Sequence, residues 1–406
     1  SNTGTWMQRI AQNWLVLTAL THNNATAVGI ITALQFGPTF LLLPLTGAAA
    51  DRCDKRKLLI ATQCIQGVLA LGLGLFTLAG IVQLWHVYLF AFLLGCATAF
   101  DSPARHTFVA ELVGDADLSN AVALNSTSFN AARMIGPAVA GVLIAAIGTG
   151  WVFLINAASF AAVISSLFFL RLDELHRSRR PARKNGGQAE GVRYVMRRPD
   201  ILIIFVMLFL VSTFGLNFQI FIAAMAVSVF HSGADEYGLL TSAMAVGTVS
   251  GALLAARRAY PKFSSLIAGA ALLGLGSTVA ALMPSSGLFA LALAGAGVAA
   301  QTFTTTANSM VQLSTDPTMR GRVMALYLAI FLGCAPIGGP AIGWISDVFG
   351  PRWAMGTGAF ASLAAAAAGC WYLAKYRHLR VRFDRGRLCI RIDAAAPFAK
   401  ERRPVE

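Results

Sequence analysis

Charge is scarce in this chain. Asp, Glu, Lys and Arg make up 12% of its 406 residues, against 56% hydrophobic residues. That is about half the charged share of a soluble domain. So few charges cannot cover a globular surface, which excludes an ordinary soluble protein and makes lipid part of the solvent. Acidic residues are scarcest, with 18 Asp and Glu against 32 Lys and Arg. The six cysteines (Cys53, Cys64, Cys96, Cys334, Cys370 and Cys389) form no Cys-x-x-Cys pair and no metal-ligand spacing. Neither a disulfide framework nor a zinc site is implied. The six histidines are scattered, so no metal centre is expected. No Gly-Lys-Ser/Thr phosphate loop occurs, which argues against a built-in ATPase. No cofactor and no enzymatic activity are expected. The chain opens at Ser1 with no basic segment ahead of an apolar one. No signal peptide is visible, and the first apolar stretch is expected to lack its opening turns.

What the chain has is long apolar runs. A membrane-spanning helix needs about 20 mostly apolar residues. Twelve stretches qualify: Ser1–Leu20, Val28–Ala50, Leu58–Leu78, Leu84–Phe100, Ala121–Ile147, Trp151–Leu170, Ile201–Val229, Tyr237–Ala256, Ser264–Met283, Gly287–Val311, Val323–Ser346 and Trp353–Tyr372. None alternates in polarity as the strands of a membrane β-barrel do. Helices are therefore predicted. With the N-terminus in the cytoplasm, every Lys and Arg except Arg9, Arg133 and Arg352 falls in a cytoplasmic segment. This positive-inside bias explains the +14 net charge without nucleic acid. The chain is expected in a bacterial inner membrane with both termini cytoplasmic.

The basic stretch 171–200 divides the chain into two sets of six spans. The expected organisation is an N-terminal bundle (1–170), a central loop (171–200), a C-terminal bundle (201–373) and a basic tail (374–406). The halves repeat: Gly136-Pro137-Ala138, Gly141, Gly148 and Trp151 recur as Gly339-Pro340-Ala341, Gly343, Gly350 and Trp353. Two parallel six-helix halves with a site between them are a transporter design. In the central loop, Gly186-Gly187 reads as a linker. Val192, Val195 and Met196 against Arg193, Arg197 and Arg198 predict a short amphipathic helix at the membrane face.

The loop after the second span reads Gly47-Ala-Ala-Ala-Asp51-Arg52-Cys-Asp-Lys55-Arg56. It resembles the loop signature of the major facilitator superfamily: Gly, three residues, Asp-Arg, two residues, two basic residues. The second-half equivalent, Gly251 to Arg258, lacks the Asp. A narrower likeness covers nearly the whole chain. Asp101-Ser-Pro103-Ala104-Arg105, Glu111-Leu-Val, Leu118-Ser-Asn120-Ala-Val-Ala-Leu124-Asn125, Ala132-Arg133-Met-Ile-Gly136-Pro137 and Glu190-Gly-Val-Arg-Tyr194 resemble the branch with enterobactin-type siderophore exporters and drug efflux pumps. The fifth span is similar to the antiporter signature of drug exporters at Gly136, Pro137 and Gly141. Ala132 and Ala140 stand where that signature has glycine, and the fourth-span Arg of many proton-coupled exporters is absent. The resemblance implies an all-α protein of twelve transmembrane helices in two pseudo-symmetric bundles. It also implies a gate built on Gly47, Asp51, Arg52, Lys55 and Arg56. In that gate Asp51 pairs with its basic neighbours or with the positive end of the eleventh helix.

Polar residues inside the spans mark candidate cavity positions. A charge at mid-membrane costs at least about 2.5 kcal/mol, which singles out Arg9 and Arg133. Gln8, Arg9, Gln12 and Asn13 cluster on the first span. Ser126, Asn130 and Arg133 share a face of the fifth by i, i+4, i+7 spacing. Gln301, Thr304, Thr305 and Asn308 do the same on the tenth, and Asn217 and Gln219 lie in the seventh. The alternative for each is interhelical hydrogen bonding without a ligand. No carboxylate sits clearly at mid-membrane. Asp101 with Arg105 is the candidate coupling pair, and the alternative is a structural ion pair. The expected function is proton-driven export of small amphipathic compounds by a monomer with a small-molecule substrate. Uptake, lysophospholipid transport and a non-transporting scaffold or sensor are the rivals.

Overall fold

The structure, a computed structural model, describes residues 1–42, 45–46, 53–171, 188–257, 261–376, 380–384 and 387–391. Thirteen helices follow one another: α1 (Asn2–Trp14), α2 (Ala25–Leu41), α3 (Lys55–Leu78), α4 (Leu84–Val113), α5 (Ala123–Ile147), α6 (Thr149–Phe168), α7 (Gln188–Met196), α8 (Pro199–Ser228), α9 (Ala234–Ala256), α10 (Phe263–Leu282), α11 (Ser286–Ser314), α12 (Arg320–Phe349) and α13 (Pro351–Tyr376). Ten of them, α3–α6 and α8–α13, are long and apolar enough to cross a membrane. Helix α2 is apolar but shorter. Helix α1 is polar because Gln8, Gln12 and Asn13 are buried inside the protein. With these two the expected twelve spans are present, and the protein is a multi-pass membrane protein. Large side chains such as Phe169, Phe360 and Trp353 point outward. In water such a surface would drive aggregation; in lipid it is solvated.

Several elements depart from the sequence expectation. Helical hydrogen bonding runs unbroken over Leu84–Ile147, where a loop between two spans was expected. A straight helix of that length would be about 96 Å long. Instead Arg105 and Phe129 both lie against α1, on Asn2 and Trp6, so α4 and α5 run back along the same neighbour. The first span of each half also contains a π-helical turn, Leu15–Leu20 after α1 and Val211–Gly215 within α8. Such turns leave backbone groups free to rearrange and cluster at functional sites. In the basic tail Arg380–Asp384 and Arg387–Arg391 pair as an antiparallel hairpin, β1–β2, which the helical pattern did not foretell.

The repeat found in the sequence forms equivalent contacts. Helix α5 packs on α9, and α12 packs on α2. A Cβ at Gly141 would stand 2.6 Å from the Ala234 carbonyl, and one at Gly343 would stand 2.5 Å from the Ala25 carbonyl. Farther along, Gly238 abuts the Pro137 carbonyl and Gly29 abuts that of Gly339. Only glycine allows backbones this close. Both crossings lie near the first turns of α2 and α9, at the end of the bundle away from Lys55 and Arg105. Lys55 and Arg105 mark what is called the basic end here.

Candidate functional site

A cavity of about 310 Å³ opens among α1, α3, α4 and α5. Helix α1 contributes Asn2, Thr5, Trp6 and Arg9; α3 contributes Gln66; α4 contributes Thr98, Asp101, Ser102 and Arg105. Asn125, Ser126, Phe129 and Asn130 line it from α5. Of the residues singled out from the sequence, Arg9, Asp101, Arg105, Ser126 and Asn130 meet here.

Asp101 is buried and satisfied on both oxygens. Its Oδ1 accepts from Thr62 Oγ1 at 2.9 Å and Gln63 Nε2 at 2.7 Å. Its Oδ2 accepts from Arg105 Nε at 3.1 Å and Nη2 at 2.6 Å, and Arg105 Nη1 donates to Asn2 at 2.9 Å. A carboxylate with four donors, two from a guanidinium fork, is held firmly in one orientation. Arg9 differs. Its Cζ lies 5.0 Å over Trp6 and 5.1 Å over Phe36, and its buried Nε has no hydrogen-bond partner. Arg133 approaches the same indole at 5.9 Å. Gln66 Nε2, buried at the cavity wall, is also unpartnered.

The remaining polar candidates are placed elsewhere. Gln8 accepts from Asn156 Nδ2 of α6 at 2.5 Å. Gln12 accepts from Gln35 Nε2 of α2 at 3.1 Å and donates to the Val87 carbonyl. Asn217 donates to Thr213, one turn back in the same span. Gln301 donates to Thr305, and Asn308 accepts from Gln312, both within α11. None of these lines the cavity.

The opposite end is clasped by a residue absent from the sequence reading. Asp347, near the end of α12, accepts from Ala25 N at 2.7 Å through Oδ1. Its Oδ2 accepts from Thr26 N at 2.8 Å and Thr26 Oγ1 at 2.5 Å. Asn24 caps the next amide, Ala27 N, at 2.9 Å. The first turn of α2 is thus capped partly by its own chain neighbour and partly from across the molecule. A carboxylate at a helix N-terminus also meets the positive end of the helix dipole. Asn13 donates to the Tyr237 hydroxyl at 3.4 Å, and Trp14 stacks on Tyr237, tying α1 to α9 in the same zone.

The family model described as transmembrane secretion effector matches residues 1–379. The chain belongs to this family of major facilitator transporters. Among curated relatives it is 25% identical over 361 residues to the staphyloferrin A transporter of Staphylococcus aureus, covering 86% of this chain and 87% of that one. It is 26% identical over 357 residues to the multidrug efflux pump Tap of Mycolicibacterium fortuitum, covering 84% and 85%. Its fold matches the structure of a bacterial homologue of the lysosomal transporter Spinster, with a TM-score of 0.72 at 16% identity over 92% of this chain and 95% of that one. The major facilitator fold and the resemblance to an exporter branch are therefore established.

Within this transporter, Gly47, Asp51 and Arg52 of the loop signature lie outside the described residues. Lys55 pairs with Glu111 at 2.6 Å. Arg56 donates to the Leu167 carbonyl at 2.7 Å and the Phe168 carbonyl at 3.3 Å. These contacts join α3 to α4 and α6. Gly136, Pro137 and Gly141 form packing surfaces: Gly136 seats against Trp6, and the other two meet α9. Helix α7 forms where the amphipathic pattern predicts it, while Gly186 and Gly187 lie outside the described residues. It docks through Glu190 on Arg322 at 2.7 Å and Tyr194 on Asp316 at 3.1 Å. Arg198 is fixed by a two-pronged bond to Asp200, which holds its guanidinium above the ordinary arginine range. Arg352, the lone basic residue of the opposite loops, donates to the Ala281 and Met283 carbonyls. It neutralises the negative end of α10, which accounts for the exception to the charge bias.

Proposed function

We propose that this protein exports small amphipathic compounds from a bacterial cell by alternating access, driven by the proton gradient. The basic end is cytoplasmic, as the positive-inside bias indicates. The observation that carries the reading is the asymmetry of the contacts. The glycine crossings and the Asp347 clasp bind α2 to α12 and α5 to α9 at one end. The polar cavity lies toward the other. This asymmetry supports an inward-open state awaiting its load. The exporter relatives support the direction of transport.

In this reading Lys55 and Arg56 are held within the first six helices while the basic end is open. When it closes, Asp51 pairs with these basic neighbours or with the positive start of α12. Asp101 and Arg105 are the coupling pair: a proton reaches Asp101 only after Arg105 has turned away. The protein acts as a monomer in the inner membrane. Paired spin labels test the reading, with Lys57 and Lys262 replaced by cysteine at the basic end and Thr149 and Ser285 at the other. Acidification or a pH gradient is expected to change the two distances in opposite senses. Distances that stay fixed, or change together, contradict alternating access.

A further inference from the structure

We infer that the cavity is an anion site, and that the exported compound carries a carboxylate or similar anionic group beside a planar ring. The inference rests on the transport reading and names the substrate class of its cavity. Arg9 and Arg133 approach one indole, that of Trp6, at 5.0 and 5.9 Å. Neither forms an ion pair or a hydrogen bond among the described residues. An aromatic face attracts a guanidinium but does not satisfy its five N–H donors. Arg9 Nε is buried without a partner, and so is Gln66 Nε2 on the α3 wall. Buried donors normally find acceptors, so two orphans at one cavity point to an acceptor brought by a ligand.

The charge balance points the same way. Two guanidiniums, of Arg9 and Arg105, line the cavity with one described carboxylate, that of Asp101, and a third, of Arg133, stands 5.9 Å from the Trp6 ring of its wall. Asp101 is fully engaged by Arg105, Thr62 and Gln63, leaving two positive charges uncompensated. A cationic compound would meet repulsion here. An anionic oxygen would take the free N–H groups of Arg9, with Arg133 adding field strength. Phe129, packed edge-on to Trp6 at 6.0 Å and itself at the cavity wall, offers a surface for the planar part.

Three probes with one ring system separate charge from shape: 1-naphthoate, neutral 1-naphthamide and cationic 1-naphthylmethylammonium. Their affinities for the full chain in detergent can be measured by equilibrium dialysis. Naphthoate is expected to bind at least tenfold more tightly than the other two, with a preference that weakens as salt is raised. Arg9→Gln and Arg133→Gln are each expected to reduce that preference to less than threefold. Arg133→Lys, which keeps the charge and is the milder test of folding, is expected to retain most of it. Equal affinities, a preference for the ammonium, or no binding of any probe by the wild type overturns the anion site. So does a preference that survives in both glutamine variants. These results leave the transport reading untouched, because that reading fails on the spin-label distances.

Discussion

Asp347→Asn tests the clasp at the opposite end. The change preserves shape but removes the charge at the first turn of α2, and it sets an NH2 group against one of the two amides that Asp347 now accepts from. The Ala25 and Thr26 contacts of 2.7 and 2.8 Å are charge-assisted bonds. An exposed charge at a helix terminus contributes about 0.3–1 kcal/mol, and up to about 2 in favourable geometry. Asp347 is exposed, so a loss of about 1 to 1.5 kcal/mol follows, near a tenfold shift in population. Because the bond exists in the closed form of that end, its loss favours opening. Ala25, buried beneath the clasp, can report this as Ala25→Cys in a background without native cysteines. An impermeant maleimide applied from the Asp347 side should label it roughly tenfold faster in the Asp347→Asn background. Thr26→Ala removes one donor but leaves the carboxylate bonded to both backbone amides, so it should accelerate labelling less than Asp347→Asn does. Equal labelling with and without the Asp347 carboxylate would refute the idea that it holds this end shut.

Other consequences can be checked separately. Single cysteines at Arg197 and Ser285 should label from opposite faces of the membrane, the first from the cytoplasm; labelling from one face contradicts the assigned topology. Gly238→Val forces a branched side chain into the Pro137 carbonyl, so the α5–α9 crossing should separate, with monodisperse yield falling well below that of Gly287→Val, which meets open space. Arg352→Ala removes two bonds to the end of α10 and should lower thermal stability by about 1–2 kcal/mol. Midpoints in a detergent melt provide the check.

The membrane body was legible because lipid tolerates few polar groups, so apolar runs and basic loops mark spans and their order. The Gly-Pro repeat was legible because close helix crossings demand small residues at fixed positions. Its partners were also visible, had Ala25-x-x-x-Gly29 been set beside Ala234-x-x-x-Gly238. Asp347 was hidden because the repeat does not include it: Ala145 occupies the matching place in α5. Its signal was an isolated carboxylate in the final turn of a span. Gln301, Asn308 and Asn217 bond within their own helices, and sequence spacing cannot distinguish such bonds from contacts to a neighbouring helix or a ligand. Arg9 and Arg133 were found by their charge, whereas Trp6, which brings them together, looked like any apolar residue.

Transport by the reconstituted protein separates gradient-driven export from its rivals. Labelled compounds of drug and siderophore type would be offered at the basic face of vesicles, with a pH gradient imposed or collapsed. Gradient-driven export gives accumulation against a concentration gradient that stops when the pH gradient is collapsed. Accumulation no greater than in protein-free vesicles, or equilibration indifferent to the gradient, would contradict it.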